Sequence, residues 1–277
     1  MGPLEPRLFH QSFLPTAKER AFAWKYSQVI GGRRPRHFHI EPELNLVVRG
    51  SATFAIGSAV VAVSQGDLLV FPSGQDHGLL SASPDLYLYA IGLEPAYAAE
   101  VLGAERALGL PLHVALGAEE LRAMLRAAEA IVDKSCAHSF AAELWARSSY
   151  VGQCATSRPG RALHVLTRRT LQLLSTAPQL ALDALAGSAR AHASEVSRHF
   201  HRDMGVTLAR YRARLRLLHF IRHVDAGERD LMTSASIAGF GSYSQAHRSF
   251  RMDLGCGPRH FFSRGLREQM QATYAHV

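Results

Sequence analysis

The sequence has few cysteines, no lysine in its second half and no long apolar run. Cys136, Cys154 and Cys256 are an odd number without CxxC spacing, which predicts idle thiols in a reducing cytoplasm and no disulfide framework or thiolate metal site. No stretch approaches the ~18 apolar residues of a membrane span. The opening MGPLEPRLFH lacks the basic-then-apolar order of a signal peptide. We therefore expect a cytoplasmic protein without a membrane partner.

The charge of the chain is divided unevenly between its two halves. The 277 residues, 47% hydrophobic and 19% charged, suffice for two globular domains. Residues 1–157 hold 13 Lys+Arg against 15 Asp+Glu, whereas residues 158–277 hold 18 against 8, and all 18 are arginine. The planar guanidinium fork suits phosphate contacts, so the second half is expected to bind a polyanion.

The hydrophobic pattern also changes along the chain. Between Phe22 and Leu93, short β-rich runs alternate with Gly, Pro and Ser, which predicts a small antiparallel barrel or sandwich. Residues 117–134 and 138–153 have helical periodicity. The first of these helices has an apolar stripe of Leu121, Met124, Leu125, Ala128 and Ile131. The predicted domains are residues 1–95, a helical linker over 96–160 that ends in a polar break at 156–161, and residues 161–277.

An internal repeat is the most specific feature of the basic half. LALDALAGSARAHASEVSRHFHRDMG (180–205) and LMTSASIAGFGSYSQAHRSFRMDLG (231–255) each contain a short helix around an alanine, a turn, and a second helix. That second helix ends in Arg-x-Phe before a closing glycine. Two helices joined by a short turn, with small residues where they cross, predict a helix-turn-helix.

Residues 207–227, between the two copies, predict one long connecting helix. Its apolar stripe consists of Leu208, Tyr211, Leu215, Leu218 and Ile221. The prediction places four arginines on the other faces of the helix: Arg210, Arg212, Arg214 and Arg216. The two helix-turn-helix motifs, here called the reading heads, are joined by this rigid helix. They could dock in successive major-groove segments of a duplex.

Residues 165–265 resemble the double helix-turn-helix DNA-binding domain of the AraC/XylS family of bacterial transcription regulators. AGFGSYSQAHRSFRMDLGCGP (238–258), followed by RHF, matches the family's second motif. Arg190 departs from the family pattern by replacing the glycine of the first turn, and Ala191, Ala246 and Ser234 are smaller or more polar than usual. Each loss of apolar burial, about 1–3 kcal/mol, is expected to loosen a motif without changing the fold.

Helix geometry selects the residues expected to face DNA. Val196, Phe200, Ala246 and Phe250 are predicted to face inward. The outward candidates are Ser194, Glu195, Ser197, Arg198 and Arg202 in the first motif, and Ser242, Ser244, Gln245, His247, Arg248 and Arg251 in the second. Arginine reads guanine and glutamine reads adenine, while serines and further arginines hold phosphates. Base readout is expected of Arg198 and Arg248, which occupy equivalent places in the repeat.

A second resemblance concerns the first half of the chain. GGRRPRHFHIEPELNLVVRG (31–50) resembles the first cupin motif, with His37, His39 and Glu43, and residues 66–81 resemble the second, with His77. Alternate residues of a strand share one face. Three histidines and a carboxylate suit a divalent metal such as Zn, Fe, Mn, Ni or Cu. The alternatives are that the same residues line a pocket for an organic effector or simply fill the barrel.

The expected fold is therefore α+β with two domains. An N-terminal β-barrel of the cupin, or jelly-roll, type precedes a helical linker and a C-terminal all-α double helix-turn-helix domain. The linker helices, with Leu144 and Trp145, are expected to mediate a homodimer.

Two function classes fit this architecture. The first is a sequence-specific DNA-binding regulator, not an enzyme, that responds to a small-molecule or metal effector in the cupin domain. Double-stranded DNA, the effector, a second copy of the chain and RNA polymerase are its expected partners. The alternative is a metal-dependent cupin enzyme, a dioxygenase or an isomerase, with an accessory helical domain. The repeat and the arginine surplus favour the regulator.

Overall fold

Short runs rich in apolar residues form the strands of the first half of the chain. The computed structural model describes residues 9–10, 21–27, 36–97, 113–132, 163–177 and 179–263. Within these ranges the strands are β1 (Phe9–His10), β2 (Ala21–Ser27), β3 (His37–Phe38), β4 (Glu43–Arg49), β5 (Ser51–Ile56), β6 (Ala59–Ser64), β7 (Asp67–Phe71), β8 (His77–Ala82), β9 (Tyr87–Leu93) and β10 (His113–Ala115).

The strands form two five-stranded sheets, in the orders β1-β3-β8-β5-β6 and β10-β7-β4-β9-β2. Along β5, buried and more exposed residues alternate, because successive side chains of a strand point to opposite faces. The inward faces share a core that includes Val47, Phe54, Leu69 and Phe71. The expected cupin-like β domain is confirmed as two facing, mainly antiparallel sheets, whereas the expected closing of the strands into a barrel is not seen in the described part of the chain. Among the described strands, no ladder joins the two sheets into a closed barrel.

One strand and one helix from beyond residue 95 pack against the β domain. β10 pairs with β7, and helix α1 (Ala118–Val132) packs against β2. Met124 and Ala128 are buried, so part of the predicted apolar stripe covers the sheet. The predicted second linker helix with Leu144 and Trp145, the break at 156–161 and the side chain of Ile131 lie outside the described residues. The domain limits and the dimer therefore stay predictions.

The second half of the described chain is helical. Its helices are α2 (Val165–Thr176), α3 (Leu182–Ala189), α4 (Ala193–Met204), α5 (Leu208–Asp225), α6 (Leu231–Ile237), α7 (Tyr243–Leu254) and α8 (Pro258–Phe261). Side-chain oxygens of Thr207, Asp230 and Ser242 accept the first free backbone N–H groups of α5, α6 and α7, which are otherwise unsatisfied. No described helix combines the length and the apolarity that a bilayer crossing requires.

The repeat forms two helix-turn-helix motifs, α3–α4 and α6–α7, on either side of the connecting helix α5. The four residues predicted to face inward are completely buried: Val196, Phe200, Ala246 and Phe250. Each recognition helix, α4 or α7, ends at a glycine with positive φ, 67° at Gly205 and 76° at Gly255. Glycine adopts this conformation without steric cost, so the closing glycine of each copy has a structural reason.

The two domains share a hydrophobic core. Phe38 and Ile40 of the cupin domain are buried in the same cluster as Leu215 and Leu218 of α5. Phe38 stands between His37 and His39 in the sequence. Its side chain packs in the core shared by the domains, whereas the two histidine side chains belong to a separate cluster inside the β domain. The segment that carries two of the cupin histidines thus also belongs to the seam between the domains.

One departure from the family pattern is visible in the backbone. Arg190 is the C-cap of α3 and has a left-handed backbone conformation, with φ 52° and ψ 46°. Among the described residues, it is the one non-glycine residue with a positive φ. The left-handed conformation brings the Cβ of an L-residue too close to the following carbonyl oxygen. Gly239 follows α6 with φ 83° in the second motif, so there the strain is absent.

Replacing Arg190 by glycine should stabilise the first motif. We expect Arg190→Gly to raise the free energy of unfolding by about 0.5–1 kcal/mol, because the relief of left-handed strain exceeds the added chain entropy of glycine. Urea unfolding measures the change. Arg190→Ala is the matched control and should gain nothing, since its Cβ meets the same carbonyl. A glycine variant no more stable than the alanine variant would contradict the strain argument.

Candidate functional site

The four cupin residues predicted from the motifs converge inside the β domain. His37 lies in β3 and pairs directly with His77 at the start of β8. His39 follows β3, and Glu43 begins β4. All four are buried, and each offers a ligand atom within 4.8 Å of the others. The motif spacing therefore places three imidazoles and one carboxylate around a common centre.

Backbone carbonyls fix the orientation of two of these imidazoles. Nδ1 of His39 lies 2.6 Å from the carbonyl oxygen of Glu41, and Nδ1 of His77 lies 3.0 Å from that of Gln75. A carbonyl oxygen only accepts, so each Nδ1 carries the proton and donates it. In a neutral ring Nε2 then presents a lone pair, which is the usual arrangement of a metal-binding histidine with a carbonyl behind it.

The lone pairs of both rings point towards a carboxylate. Oε2 of Glu43 is 2.8 Å from Nε2 of His39 and 3.4 Å from Nε2 of His77. Burial raises the pKa of Glu43, and only hydrogen bonds and positive charge from the His39 and His77 rings in their protonated form would outweigh burial and lower that pKa. Burial lowers the pKa of His39. The carboxylate therefore needs positive charge beside it, while burial opposes placing that charge on the His39 ring.

Such a set of acceptors is stable only with positive charge at its centre. Two acceptor atoms at 2.8 Å repel one another unless a proton or a cation lies between them. Since burial disfavours the proton on His39, a divalent cation with nitrogen and oxygen ligands fits this donor set. The residues present are therefore suited to hold a transition metal.

An apolar pocket adjoins the cluster. It is lined by Tyr26, Asn45, Phe54, Gly78, Leu79, Leu88 and Ala90 together with His37, Glu43 and His77. Oδ1 of Asn45 is buried and accepts no hydrogen bond among the described residues. The pocket thus combines an apolar wall, one available acceptor and, at one end, side chains that could hold a metal. Asn45 was not among the predicted site residues, because the motif pattern gives its position no special role.

A second buried carboxylate stands beside the cluster. Glu41 is 5% exposed, and Oε2 has no hydrogen-bond partner among the described residues. Burial raises the pKa of Glu41 to about 7, although the charge of Arg222 acts in the opposite direction. The ionised form of Glu41 is therefore costly in this position.

The predicted DNA-facing residues lie on the outer sides of α4 and α7. Ser194, Arg198 and Arg202 are exposed in the first motif. Glu195 and Ser197 are half-buried. In the second motif His247 is half-buried, whereas the remaining candidates are exposed: Ser242, Ser244, Gln245, Arg248 and Arg251. Arg198 and Arg248, the expected base readers, occupy equivalent positions with free access from solvent.

Some of these side chains also make hydrogen bonds within the protein. Ser242 caps α7 by accepting from the Gln245 backbone, and Gln245 Oε1 accepts from the N–H of Gly241 at 3.0 Å. Glu195 accepts from the backbone N–H of His192. The Nε of Arg202 donates to Asp203 at 3.2 Å. A role in DNA binding would thus compete with local contacts at these four positions, whereas Arg248 makes no such hydrogen bond or ion pair with any other described residue.

The structure corrects the assignment of Arg214 to an outward face of the connecting helix. Arg214 is 1% exposed and is the largest completely buried side chain among the described residues. It donates to Asp76 at 2.7 Å and to the carbonyl of Gly74 at 2.9 Å. The helical spacing places it three residues after Tyr211 and beside Leu215, which could have signalled burial. The partner carboxylate, one residue before His77, could not be found from the sequence.

Comparison with family models gives two matches. Residues 25–147 match the AraC-like ligand binding domain, and residues 185–264 match a helix-turn-helix domain. The first range contains the four buried cupin residues, and the second contains both recognition helices. A comparison with curated proteins finds no match.

Solved structures with similar architecture include two regulators. ToxT from Vibrio cholerae O395 is 12% identical, with 87% of this chain and 96% of that chain covered at a TM-score of 0.49. A fatty-acid-bound ToxT from Vibrio cholerae strain SCE256 is 12% identical, with 89% and 95% covered at 0.47. The AraC-like transcriptional activator CuxR is 9% identical, with 79% and 78% covered at 0.35.

The buried carboxylate of Glu41 leads to a prediction about pH. Because the pKa of Glu41 is raised from 4.5 to about 7, the folded state keeps a proton that the unfolded state has already released. The corresponding stability is present below pH ~4.5 and is lost as the pH rises through ~7. In metal-free protein, Glu41→Gln should raise the free energy of unfolding by about 2–3 kcal/mol at pH 8. It should raise it by less than ~1 kcal/mol at pH 5.

Urea unfolding in the presence of a chelator at the two pH values measures this difference. Glu119→Gln is the control, because Glu119 is exposed in the first turn of α1 and its replacement should give no comparable gain at pH 8. Equal stabilisation by Glu41→Gln at both pH values would show that the buried charge of Glu41 is not its cause.

Proposed function

Because the chain belongs to the AraC-type regulators, with an AraC-like ligand binding domain ahead of its helix-turn-helix domain, we propose that its cupin domain senses a small organic effector with the help of a bound divalent metal. The observation that carries the proposal is the buried set of His37, His39, Glu43 and His77. This set faces an apolar pocket. The same chain also presents two recognition helices whose outer sides are exposed.

The metal is assigned to the four cupin residues. Zn, Fe, Mn, Ni and Cu all accept such nitrogen and oxygen ligands. When bound, the ion would supply Lewis acidity and free coordination positions at the end of the pocket. The protein residues do the rest: the carbonyls of Glu41 and Gln75 orient two imidazoles, and the apolar wall excludes water from the effector.

The lining of the pocket limits the class of effector. Phe54, Leu79 and Leu88 would contact an apolar body. Oδ1 of Asn45 would accept a hydrogen bond from a donor on the effector, because a buried acceptor without a partner is costly. An oxygen or nitrogen ligand for the metal would complete the molecule. We infer a small, largely apolar effector with one metal-binding group and one hydrogen-bond donor.

The DNA-binding role is assigned to the outer sides of α4 and α7. Arg198 and Arg248 are proposed to read bases in successive major-groove segments, and Arg202 and Arg251 to contact phosphates. The other proposed contacts are Ser194, Glu195, Ser197, Ser242, Ser244, Gln245 and His247. We further propose a homodimer formed through the linker helices, contacts with RNA polymerase, and a cytoplasmic location where chromosomal DNA is accessible.

A cupin enzyme, a dioxygenase or an isomerase, is the alternative use of the same four residues. Both functions would require the metal, so the metal alone does not distinguish them. The helix-turn-helix domain over residues 185–264 favours regulation, since catalysis has no use for two equivalent reading heads. Salt-sensitive DNA binding without turnover of cupin substrates distinguishes the regulator from the enzyme.

Metal content tests the assignment of the cupin residues. Protein grown and purified without chelators should contain close to one equivalent of a divalent transition metal by elemental analysis, and a His37→Ala, His77→Ala double variant should contain almost none. Occupancy should also fall as the pH drops through ~6, because histidine must be neutral to bind a metal.

A matched control separates the site from unspecific binding by histidine. His113 is half-buried beside Asp67, with Nε2 at 3.2 Å from the carboxylate, and stands apart from the cluster. His113→Ala should keep the metal content of the wild type. A wild type with less than roughly a tenth of an equivalent would withdraw the metal and leave the four residues as contacts of an organic effector.

The two proposed classes of DNA contact predict different losses. Arg248→Ala should cost about 1–3 kcal/mol on a selected binding site and relax the preference at one or two bases. Arg251→Ala, on the same helix, is the matched comparison and should weaken binding to selected and random duplexes alike. Titrations of both duplexes at fixed salt measure the losses. Equal losses on the two duplexes for Arg248→Ala would make Arg248 a phosphate contact.

A further inference from the structure

The connecting helix α5 is tied to the cupin domain by a completely buried ionic contact. Nη1 of Arg214 donates to Oδ1 of Asp76 at 2.7 Å and to the carbonyl of Gly74 at 2.9 Å. Tyr211, one turn earlier, donates its hydroxyl to the carbonyl of Ser73. Asp76 also pairs with Arg36. Three residues of one short turn, Ser73, Gly74 and Asp76, are thus held by α5.

The same turn is directly connected to the metal-binding cluster. The N–H of Gly74 donates to the carbonyl of His39 at 2.8 Å. Asp76 immediately precedes His77, which begins β8. The guanidinium of Arg214 lies 5.0 Å from the ring centroid of Phe38, and Phe38 separates His37 from His39 in the chain. Displacement of the histidine backbones would therefore displace the partners of Arg214.

On its other side Arg214 reaches the second recognition helix. Nη2 of Arg214 is 3.8 Å from Oδ1 of Asp253, near the end of α7. The same oxygen accepts from Nε and Nη2 of Arg210 at 3.2 Å and 3.1 Å. Asp253 is itself buried. Arg214 thus stands between a carboxylate of the cupin domain and a carboxylate of the second reading head.

The first reading head also contacts the cupin domain. The turn at Gly57 packs backbone to backbone against Gly205, which closes α4, and a Cβ on either glycine would collide with the other segment. The N–H of Gly57 donates to the carbonyl of Asp76 at 3.0 Å, and its carbonyl accepts from Arg36. Asp76 is therefore connected to both heads, through Arg214 to α7 and through Gly57 to α4.

We propose that Arg214 is the residue that couples occupancy of the cupin site to the DNA-reading heads, through the chain Asp76–Arg214–Asp253. The inference rests on the proposed sensing role of the cupin site and assigns the route of its signal. Ligand binding that moves His39 or His77 moves the Ser73–Asp76 turn, and the buried guanidinium passes that movement to α5 and α7. Arg214 acts as a positioning residue and contacts neither the effector nor DNA.

Another ion pair between the domains offers a matched control. Arg222, two turns further along α5, pairs with Glu94 at 3.2 Å, but its side chain is 47% exposed. Solvent weakens such a pair, and its long side chain can rearrange without a packing change. Arg222→Met therefore removes a cross-domain charge contact of the same chemical type. Arg210→Met removes a contact to Asp253 that does not involve the cupin domain.

The first experiment measures coupling with zinc as the probe. Dissociation constants for a duplex selected with the full chain are determined with and without saturating Zn²⁺, alongside the zinc affinity itself. Zinc should change the DNA affinity of the wild type by about fivefold or more. In Arg214→Met the change should fall below about twofold while the zinc affinity stays within about threefold of the wild type. Arg222→Met should keep the wild-type change.

The second experiment needs no metal. Glu43→Gln perturbs the cluster, and hydrogen exchange reports on residues 243–254 of α7. With Arg214 present, Glu43→Gln should change exchange in α7 by about threefold or more. Combined with Arg214→Met it should change exchange by less than about 1.5-fold. Such non-additivity shows coupling, whereas a merely structural role of Arg214 would leave the effect of Glu43→Gln unchanged.

The outcomes separate this inference from the proposed metal site. Zinc binding without any effect on DNA affinity, or an effect that survives in Arg214→Met, overturns the coupling. If the wild type binds no zinc, the metal proposal fails and the exchange cycle alone decides. If Arg214→Met does not fold, the Asp76→Asn, Arg214→Met double variant removes both members of the Asp76–Arg214 pair, so that neither charge stays buried without the other. That variant must then lose the coupling in the same cycle.

Discussion

The arrangement of the two domains depends on one constraint, the buried charge of the Arg214 guanidinium. Removing a charge from solvent costs several kcal/mol unless partners surround it, and Arg214 is 1% exposed. Its partners come from both sides of the seam: Gly74 and Asp76 from the cupin domain and Asp253 from α7. Neither domain alone supplies this set. The apolar contacts of Phe38 and Ile40 favour association of the two domains but do not fix their relative orientation, because the hydrophobic effect is non-directional. The ionic contacts fix how α5 lies on the cupin domain.

The buried carboxylates of Asp76 and Glu43 have different partners. Asp76 has two permanent cations beside it, Arg36 and Arg214, and their charges outweigh burial and lower its pKa. Glu43 faces imidazoles whose Nδ1 protons are already engaged by backbone carbonyls. Among the described residues no arginine or lysine pairs with Glu43. The first arrangement suits a permanent seam, and the second suits a site whose positive charge arrives from outside.

Local spacing predicted most of the fold and the composition of the cluster, but not the contacts between the domains. Helical periodicity depends on neighbouring residues, so the inward positions of Val196 and Phe250 followed from short patterns. The gathering of His37 with His77, in contrast, was implied by the resemblance to the two cupin motifs. The burial of Arg214 depends on Asp76, 138 positions away. Arg190 shows a different limit: the sequence revealed the missing glycine, but only the backbone shows that arginine accepts the left-handed conformation.

The position of the seam determines what kind of control the cupin domain can exert. Arg198 and Arg248 remain exposed while the two domains are in contact, so the cupin domain does not cover the proposed reading surfaces. Within the described part of the chain, occlusion of Arg198 and Arg248 by the cupin domain is therefore inconsistent with this arrangement. The cupin domain contacts the end of α4 at Gly205 and the end of α7 through Arg214, which are the points that set the direction of each recognition helix. Because two heads can occupy successive major-groove segments only at a matching spacing, the proposed coupling requires only a small rotation at either point, which would change DNA affinity while both surfaces stay open.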